Sequence, residues 1–479
     1  MLEKELLNQL IGVVYDTLGG IQMSGRHSSA NFTTAVVVGV AVTAVAGVAV
    51  AVAVGGTGFL SDRGPFRKRW RRRRHHPLTQ QQWEDFFGDE GRLSNNSTEK
   101  LIHKVRWGGI EPGIRAQAWP FLLGIYEVDS TEAERKEQDA KLRKEYEKIR
   151  SYCQEIKQSL TSRREGEHQQ DGMEEQAEEE HKLMPFSESQ IEAFSSINDS
   201  SAFWKKGPKA VDDIVTWQRI IRLDAVRMNA EWVPYSPSQA NVSDEETSKV
   251  ARKAGLSDDE HLETCRRYHA ARLVSILEAY ALYDPDTGYC QGMSDLLSPF
   301  VALMDDDHQA FWCFVSFMRT ARHNFRLDEV GIRRQLNGTS DIIKVADPEL
   351  YEHLVKIKAE DCTFVYRMVV VLFRRELTFE QTICLWEVIW ADSTAMRTGK
   401  GLGEAQKKKK APPTKDLLLY TIAAAVCRRR KFIMENCKGM DELLRECNAM
   451  AGNLDVWQML DDARELVSRV HGRRPETPT

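Results

Sequence analysis

From Leu78 to the C-terminal region the apolar residues recur at helical spacing, and no stretch alternates apolar with polar residues as a half-buried strand would. In "LVSILEAYALY", Leu273, Ile276, Leu277 and Tyr280 stand at i, i+3, i+4 and i+7, one face of a helix. "FVYRMVVVLFRREL" and "TFEQTICLWEVIWA" follow the same period, and Thr378 with Gln381 is placed as a capping box at the start of the second. "DLLLYTIAAAVCRRRKFIME" and "DELLRECNAMAG" read as further helices. Many helices of ordinary length, without a fixed-period repeat, imply an all-α layered domain and exclude a coiled coil or a solenoid.

The chain has 479 residues, 42% of them hydrophobic, enough for a sizeable core. Its net charge of -5 points to no particular partner. Nine scattered cysteines, an odd count with no C-x-x-C pair, argue against a disulfide framework and a zinc site, and read as reduced, mostly buried thiols of a cytosolic domain. Three polar segments interrupt the helical pattern and are expected to be loops: acidic residues 162–184, polar residues 235–259 and basic residues 394–416. The last contains "GKGLG", but G-x-x-x-x-G-K-[ST] is absent and no strand precedes it, which argues against a phosphate loop.

Before the helical domain, residues 33–60 run without a charge, long enough to span a bilayer core of about 20 residues. Arg63, Arg67, Lys68, Arg69, Arg71, Arg72, Arg73 and Arg74 follow at once. A basic cluster beside an apolar run is a positive-inside signal that also attracts anionic headgroups, so the expected partner is a membrane and not a nucleic acid. The alternatives are a buried or targeting segment for the run, and a nuclear-localisation or nucleic-acid patch for the cluster. The expected organisation is an N-terminal segment 1–32, a transmembrane helix 33–60, a basic linker 61–77, a helical domain 78–470 on the cytosolic face of an endomembrane, and a tail 471–479.

Three polar islands sit inside the helical domain. In "GGIEPGIRAQAWPFLLGIY", Arg115 and Trp119 are one helical turn apart. In "VTWQRIIRLDAVRMNAEW", Ile221, Asp224 and Arg227 are spaced three and three, so carboxylate and guanidinium share a helix face. In "DTGYCQGMSD", Tyr289, Gln291 and Gly292 follow a helical run. Each island alone means little: a packed helix start, a solvated ion pair and a turn. Their order, R-x-x-x-W, then I-x-x-D-x-x-R, then Y-x-Q, resembles the signature of the TBC family, helical activators of Rab-type small GTPases. "HNF", "FRREL" and "LWEVIWA" occupy familiar places, and the likeness covers roughly Leu101 to Val470. "RLDAVRMN" departs from the many relatives that have Thr after the arginine.

The resemblance implies a two-lobed, multi-helix Rab-GAP domain that stimulates GTP hydrolysis in a GTP-bound Rab-type partner and so regulates vesicle trafficking. By resemblance Arg227 is an arginine finger and Gln291 a glutamine finger. The chemistry suits these roles: phosphoryl transfer needs positioned charge, a guanidinium binds two oxygens at once, and an amide both donates to and accepts from a water. Asp224 is expected to hold Arg227, Tyr289 to fix the Gln291 backbone, and Gly292 to give steric clearance. Arg115, Trp119 and Ile221 are assigned to structure. No cofactor is expected on this chain, since GTP and Mg²⁺ arrive with the partner. A scaffold that has lost catalysis would lack Arg227 or Gln291, and both are present.

Overall fold

A computed structural model describes residues 76–94, 96–170, 209–326, 329–399 and 411–473. Within them the regular backbone is helical, apart from two isolated bridges, Leu78 to Ile110 and Phe87 to Leu93. The first half contains α1 (Gln80–Glu84), α2 (Ser97–Gly108), α3 (Arg115–Leu122), α4 (Glu132–Gln170), α5 (Lys209–Val226), α6 (Asp244–Ala254), α7 (Thr264–Tyr283), α8 (Met293–Leu303) and α9 (Asp307–Ala321). The second contains α10 (Val330–Ala346), α11 (Pro348–Lys356), α12 (Tyr366–Val370), α13 (Phe379–Thr398), α14 (Leu417–Arg428), α15 (Arg430–Asn436), α16 (Met440–Ala449) and α17 (Val456–Arg473). The N-terminal segment, the charge-free run 33–60 and the cluster at 63–74 lie outside the described residues, as do residues 171–184, 400–410 and 474–479. Among the described residues no helix is long and apolar enough to cross a membrane.

Several expected boundaries move. The predicted loop at 235–259 is largely helical: Ser243 caps α6 by accepting from the Glu246 amide, and Gly255 closes it in the left-handed conformation. Acidic residues in its first turn and basic ones in its last complement the helix dipole, and Thr247, Ala251 and Ala254 are buried. The predicted acidic loop begins as helix, because α4 continues through Gln170; its Arg, Glu and Gln residues are good helix formers even without a core. Likewise α13 runs to Thr398, inside the predicted basic loop. Conversely, "FVYRMVVVLFRREL" is not one helix: α12 stops at Val370, and Leu372 and Phe373 take positive φ. Valines are poor helix formers, and here burial of every residue from Met368 to Arg374 holds a turn. Thr378 caps α13 by accepting from the Gln381 amide, half of the expected capping box.

Two groups of helices share one core. In the first, α4, α5, α6, α8 and α9 surround α7, so that every residue from His269 to Leu282 is buried and the single apolar face expected of it is exceeded. In the second, α11, α12, α14 and α17 pack about α10. Helix α13 joins the groups: it packs against α14 and α17, its Trp386 lies 5.0 Å from Phe317 of α9, and its Trp390 meets Trp119 of α3 at 5.1 Å. All nine cysteines are free, and burial pushes Cys153, Cys362 and Cys427 up to about 12.

Helix α13 also carries the buried charges that fasten the N-terminal helices. Arg115, 1% exposed, donates through Nε to Glu387 at 2.9 Å and through Nη1 to Glu380 at 2.7 Å. Trp119 Nε1 donates to the same Glu387 oxygen at 2.9 Å. Farther along, Asp392 pairs with buried Arg106 and accepts from the Thr414 amide. Burial pushes the Glu387 carboxyl up to about 7, opposed by Arg115 and the Trp119 N–H. The folded group thus keeps a proton that an unfolded glutamic acid loses near 4.5, and its own contribution to stability falls as pH rises across that window. Arg115→Ala leaves a buried carboxyl without its counter-ion and is expected to cost about 3–5 kcal/mol in urea unfolding at neutral pH. The deficit should be largest above pH ~7 and shrink as pH falls through that value, where the orphaned carboxyl takes up a proton. Equal loss at all pH values would show that packing, and not charge, is what Arg115 supplies.

Candidate functional site

Helix α5 ends at Val226, and Arg227 stands in the turn that follows, its amide still bonded to the Leu223 carbonyl. Its side chain is 62% exposed yet held at two points: Nε donates to the Leu223 carbonyl at 3.0 Å, and Nη2 donates to Asp224 Oδ1. Asp224 is buried, and its other oxygen accepts from the Tyr289 hydroxyl at 2.7 Å. Burial and the Asp224 charge push the Tyr289 phenol well above its usual range, so it acts as a neutral donor. Tyr289 is expected to fix the Gln291 backbone; the bond it makes ties the loop to α5 through Asp224. Ile221, one turn earlier, is fully buried.

The loop from Asp284 to Gly292 is fixed along its length. Asp284 accepts from Tyr280, Thr287 and Arg322. Gly288, at φ +59°, lies against Trp217 of α5, so close that an added Cβ would sit 2.3 Å from the indole Cζ2. Cys290 Sγ donates to the Phe325 carbonyl. Gly292, at φ +102°, opens α8, with Val371 Cγ1 3.1 Å from where its Cβ would stand. Between these restraints Gln291 is exposed, and its side-chain amide bonds to none of the described residues. A pinned backbone carrying a solvent-facing amide is preorganised to offer a donor and an acceptor outward.

The structure brings Asp224, Arg227, Tyr289, Gln291 and Gly292 onto connected elements. Arg115 and Trp119 belong instead to the buried fastening of α3 to α13, where neither reaches solvent. Sequence reasoning passed over Trp217, whose spacing to Ile221 and Asp224 marks the buried face of α5, and Arg375, which donates from Nε and Nη2 to Asp295 at 3.0 and 2.7 Å. Both arginines of "FRREL" were visible, but nothing local names Asp295 as a partner.

A helical domain that holds an exposed arginine on a buried aspartate, beside a rigid loop with an exposed glutamine, is built to offer polar groups to another molecule. The Rab-GTPase-TBC domain matches residues 216–401, which include both groups. Rab GTPase-activating protein 22 of Arabidopsis thaliana is 45% identical over 460 residues, covering 84% of this chain and 82% of that protein. GTPase-activating protein GYP7 of Candida glabrata is 30% identical over 319 residues, 67% of this chain but 36% of that longer protein. The Ypt/Rab-GAP domain of Gyp1p shares the fold, with a TM-score of 0.52 at 16% identity, over 81% of this chain and 97% of that one. The chain belongs to the Rab-GTPase-TBC domain family.

Gly288→Ala tests the loop's contact with α5. The added methyl meets the Trp217 indole in a conformation that already disfavours side chains, and is expected to destabilise the protein by about 1–3 kcal/mol in thermal or urea unfolding. Wild-type stability would show that the loop moves freely on α5.

Proposed function

We propose that this chain activates GTP hydrolysis by a GTP-bound Rab-type GTPase, inserting Arg227 and Gln291 into the partner's active site. One observation carries the reading: the two oxygens of Asp224 serve both fingers, one accepting from Arg227 and the other from Tyr289, two residues before Gln291. The fingers are thereby held on one frame while both tips stay exposed. Family membership supports the class of partner.

The transition state of phosphoryl transfer spreads charge over phosphate oxygens, so a protein acting in trans contributes by positioning and electrostatics. Arg227 exchanges the Asp224 carboxylate for those oxygens, with a planar fork that a lysine lacks. Gln291 orients the attacking water and takes over the work of the partner's own glutamine. The scale for an arginine finger is about 10³ to 10⁵ in rate, roughly 4 to 7 kcal/mol. GTP and Mg²⁺ enter with the partner, and the outcome is control of vesicle traffic.

Arg227→Lys and Arg227→Ala are each expected to slow phosphate release at saturating activator by at least about two orders of magnitude, with helical circular dichroism unchanged. Normal turnover by Arg227→Lys would remove the bidentate role. Gln291→Ala is expected to be severely impaired at saturation, while wild type still accelerates a partner whose own glutamine is replaced by leucine. Normal saturated turnover by Gln291→Ala, with no acceleration of that partner, would leave Arg227 acting alone.

The charge-free run at 33–60 and the basic residues after it support attachment to the cytoplasmic face of an endomembrane. Full-length chain is expected to stay in the membrane fraction through high salt and alkaline carbonate. Release by salt alone would make the basic cluster the anchor and remove the span.

A further inference from the structure

The turn between α12 and α13 is a part of this region that the two fingers leave unexplained. Leu372 and Phe373 have φ of 47° and 62°, a left-handed conformation that such residues rarely adopt, and both side chains are buried. Hydrogen bonds hold the turn there: Trp386 Nε1 donates to the Leu372 carbonyl at 2.9 Å, the Arg374 amide to Val371 at 2.8 Å, and the Gly452 amide to Glu376 at 2.9 Å. Strained backbone that its surroundings over-determine is a mark of functional sites. Here the turn presents Arg375, whose fork closes on Asp295 in the first turn of α8. Val371, from the same turn, packs at Gly292. The segment after Gln291 is therefore gripped twice, by an apolar contact and by an ion pair.

Both grips act on the residues that directly follow the exposed glutamine, and neither involves Arg227 or Asp224. We infer that Arg375 is a positioning residue for the reaction, fixing the start of α8 behind Gln291. The inference rests on the roles proposed above for Arg227 and Gln291. Burial lowers the Arg375 guanidinium, but Asp295, Glu376 and Asp224 more than offset this and hold it above its ordinary value. Its side chain is 35% exposed, within reach of solvent but anchored.

The test uses full-length chain and a GTP-loaded Rab-type GTPase selected from a panel because wild type accelerates it. Saturated rate, half-saturating concentration and melting temperature are measured for wild type, Arg227→Ala, Arg375→Gln, Arg375→Lys and the charge swap Arg375→Asp with Asp295→Arg. Arg375→Gln is expected to lower the saturated rate at least about tenfold, with half-saturation changed less than about twofold. Arg375→Lys, which keeps the charge, should stay within about threefold of wild type. The swap, which restores the ion pair, should recover both the melting temperature and most of the saturated rate. A swap that recovers the melting temperature but none of the rate, a full saturated rate in Arg375→Gln, or an effect on half-saturation alone would each overturn the inference. Should Arg375→Gln fail to fold, the lysine variant and the swap decide it. A wild-type chain inert on the whole panel, or an Arg227→Ala variant as fast as wild type, would overturn the underlying reading, and this inference with it.

Discussion

Arg115 is almost without exposure, and its guanidinium binds a carboxylate 272 residues further along the chain. Two acidic residues of α13, Glu380 and Glu387, close around it, and Trp119 donates to the second. A third, Asp392, receives Arg106 from α2. The earliest helices of the domain are thus fastened to one of its late ones by charge in a dry interior, where a mispaired partner is severely penalised. Hydrophobic contact alone would admit several registers of α2 and α3 on α13; the paired charges admit one. The aromatic contacts of Trp386 and Trp390 with α3, α8 and α9 then have a fixed surface on which to form.

The same rule operates in weaker form at the surface. Asp224 is buried and shared, while its arginine is exposed. This asymmetry separates holding from use: the aspartate is part of the fold, and the guanidinium is attached by bonds that a better anion can replace. In the function proposed above, a glutamine on a loop braced by Asp284, Trp217 and Tyr289 needs little ordering when the partner docks, which reduces the entropic cost of reaching a reactive geometry.

Helical period made most elements legible, and the three polar islands made Arg227 and Gln291 stand out from it. Composition misled at 235–259, where Ser, Pro, Asn and Asp suggested a loop although Ser243 and Gly255 are the start and stop signals of α6. Conversely, period alone could not foresee that the valines before Leu372 would end in a turn, because burial on all sides erases the face that periodicity detects. The pairings of Arg115 with Glu387, of Arg375 with Asp295 and of Trp217 with Gly288 join distant positions, and no local pattern encodes them.

The thiols carry a different consequence. Eight of the nine cysteines are buried, and burial raises the pKa of all nine sulfurs, that of Cys290 included, so very little reactive thiolate exists at neutral pH. Cys290 alone is half-exposed, and its neighbour is Gln291. Slow alkylation of the native protein would therefore start at the loop that carries the glutamine, and its rate would time the opening of that loop from the rest of the domain. Elsewhere the chain is chemically quiet, which leaves a cysteine introduced on its surface free to carry a label.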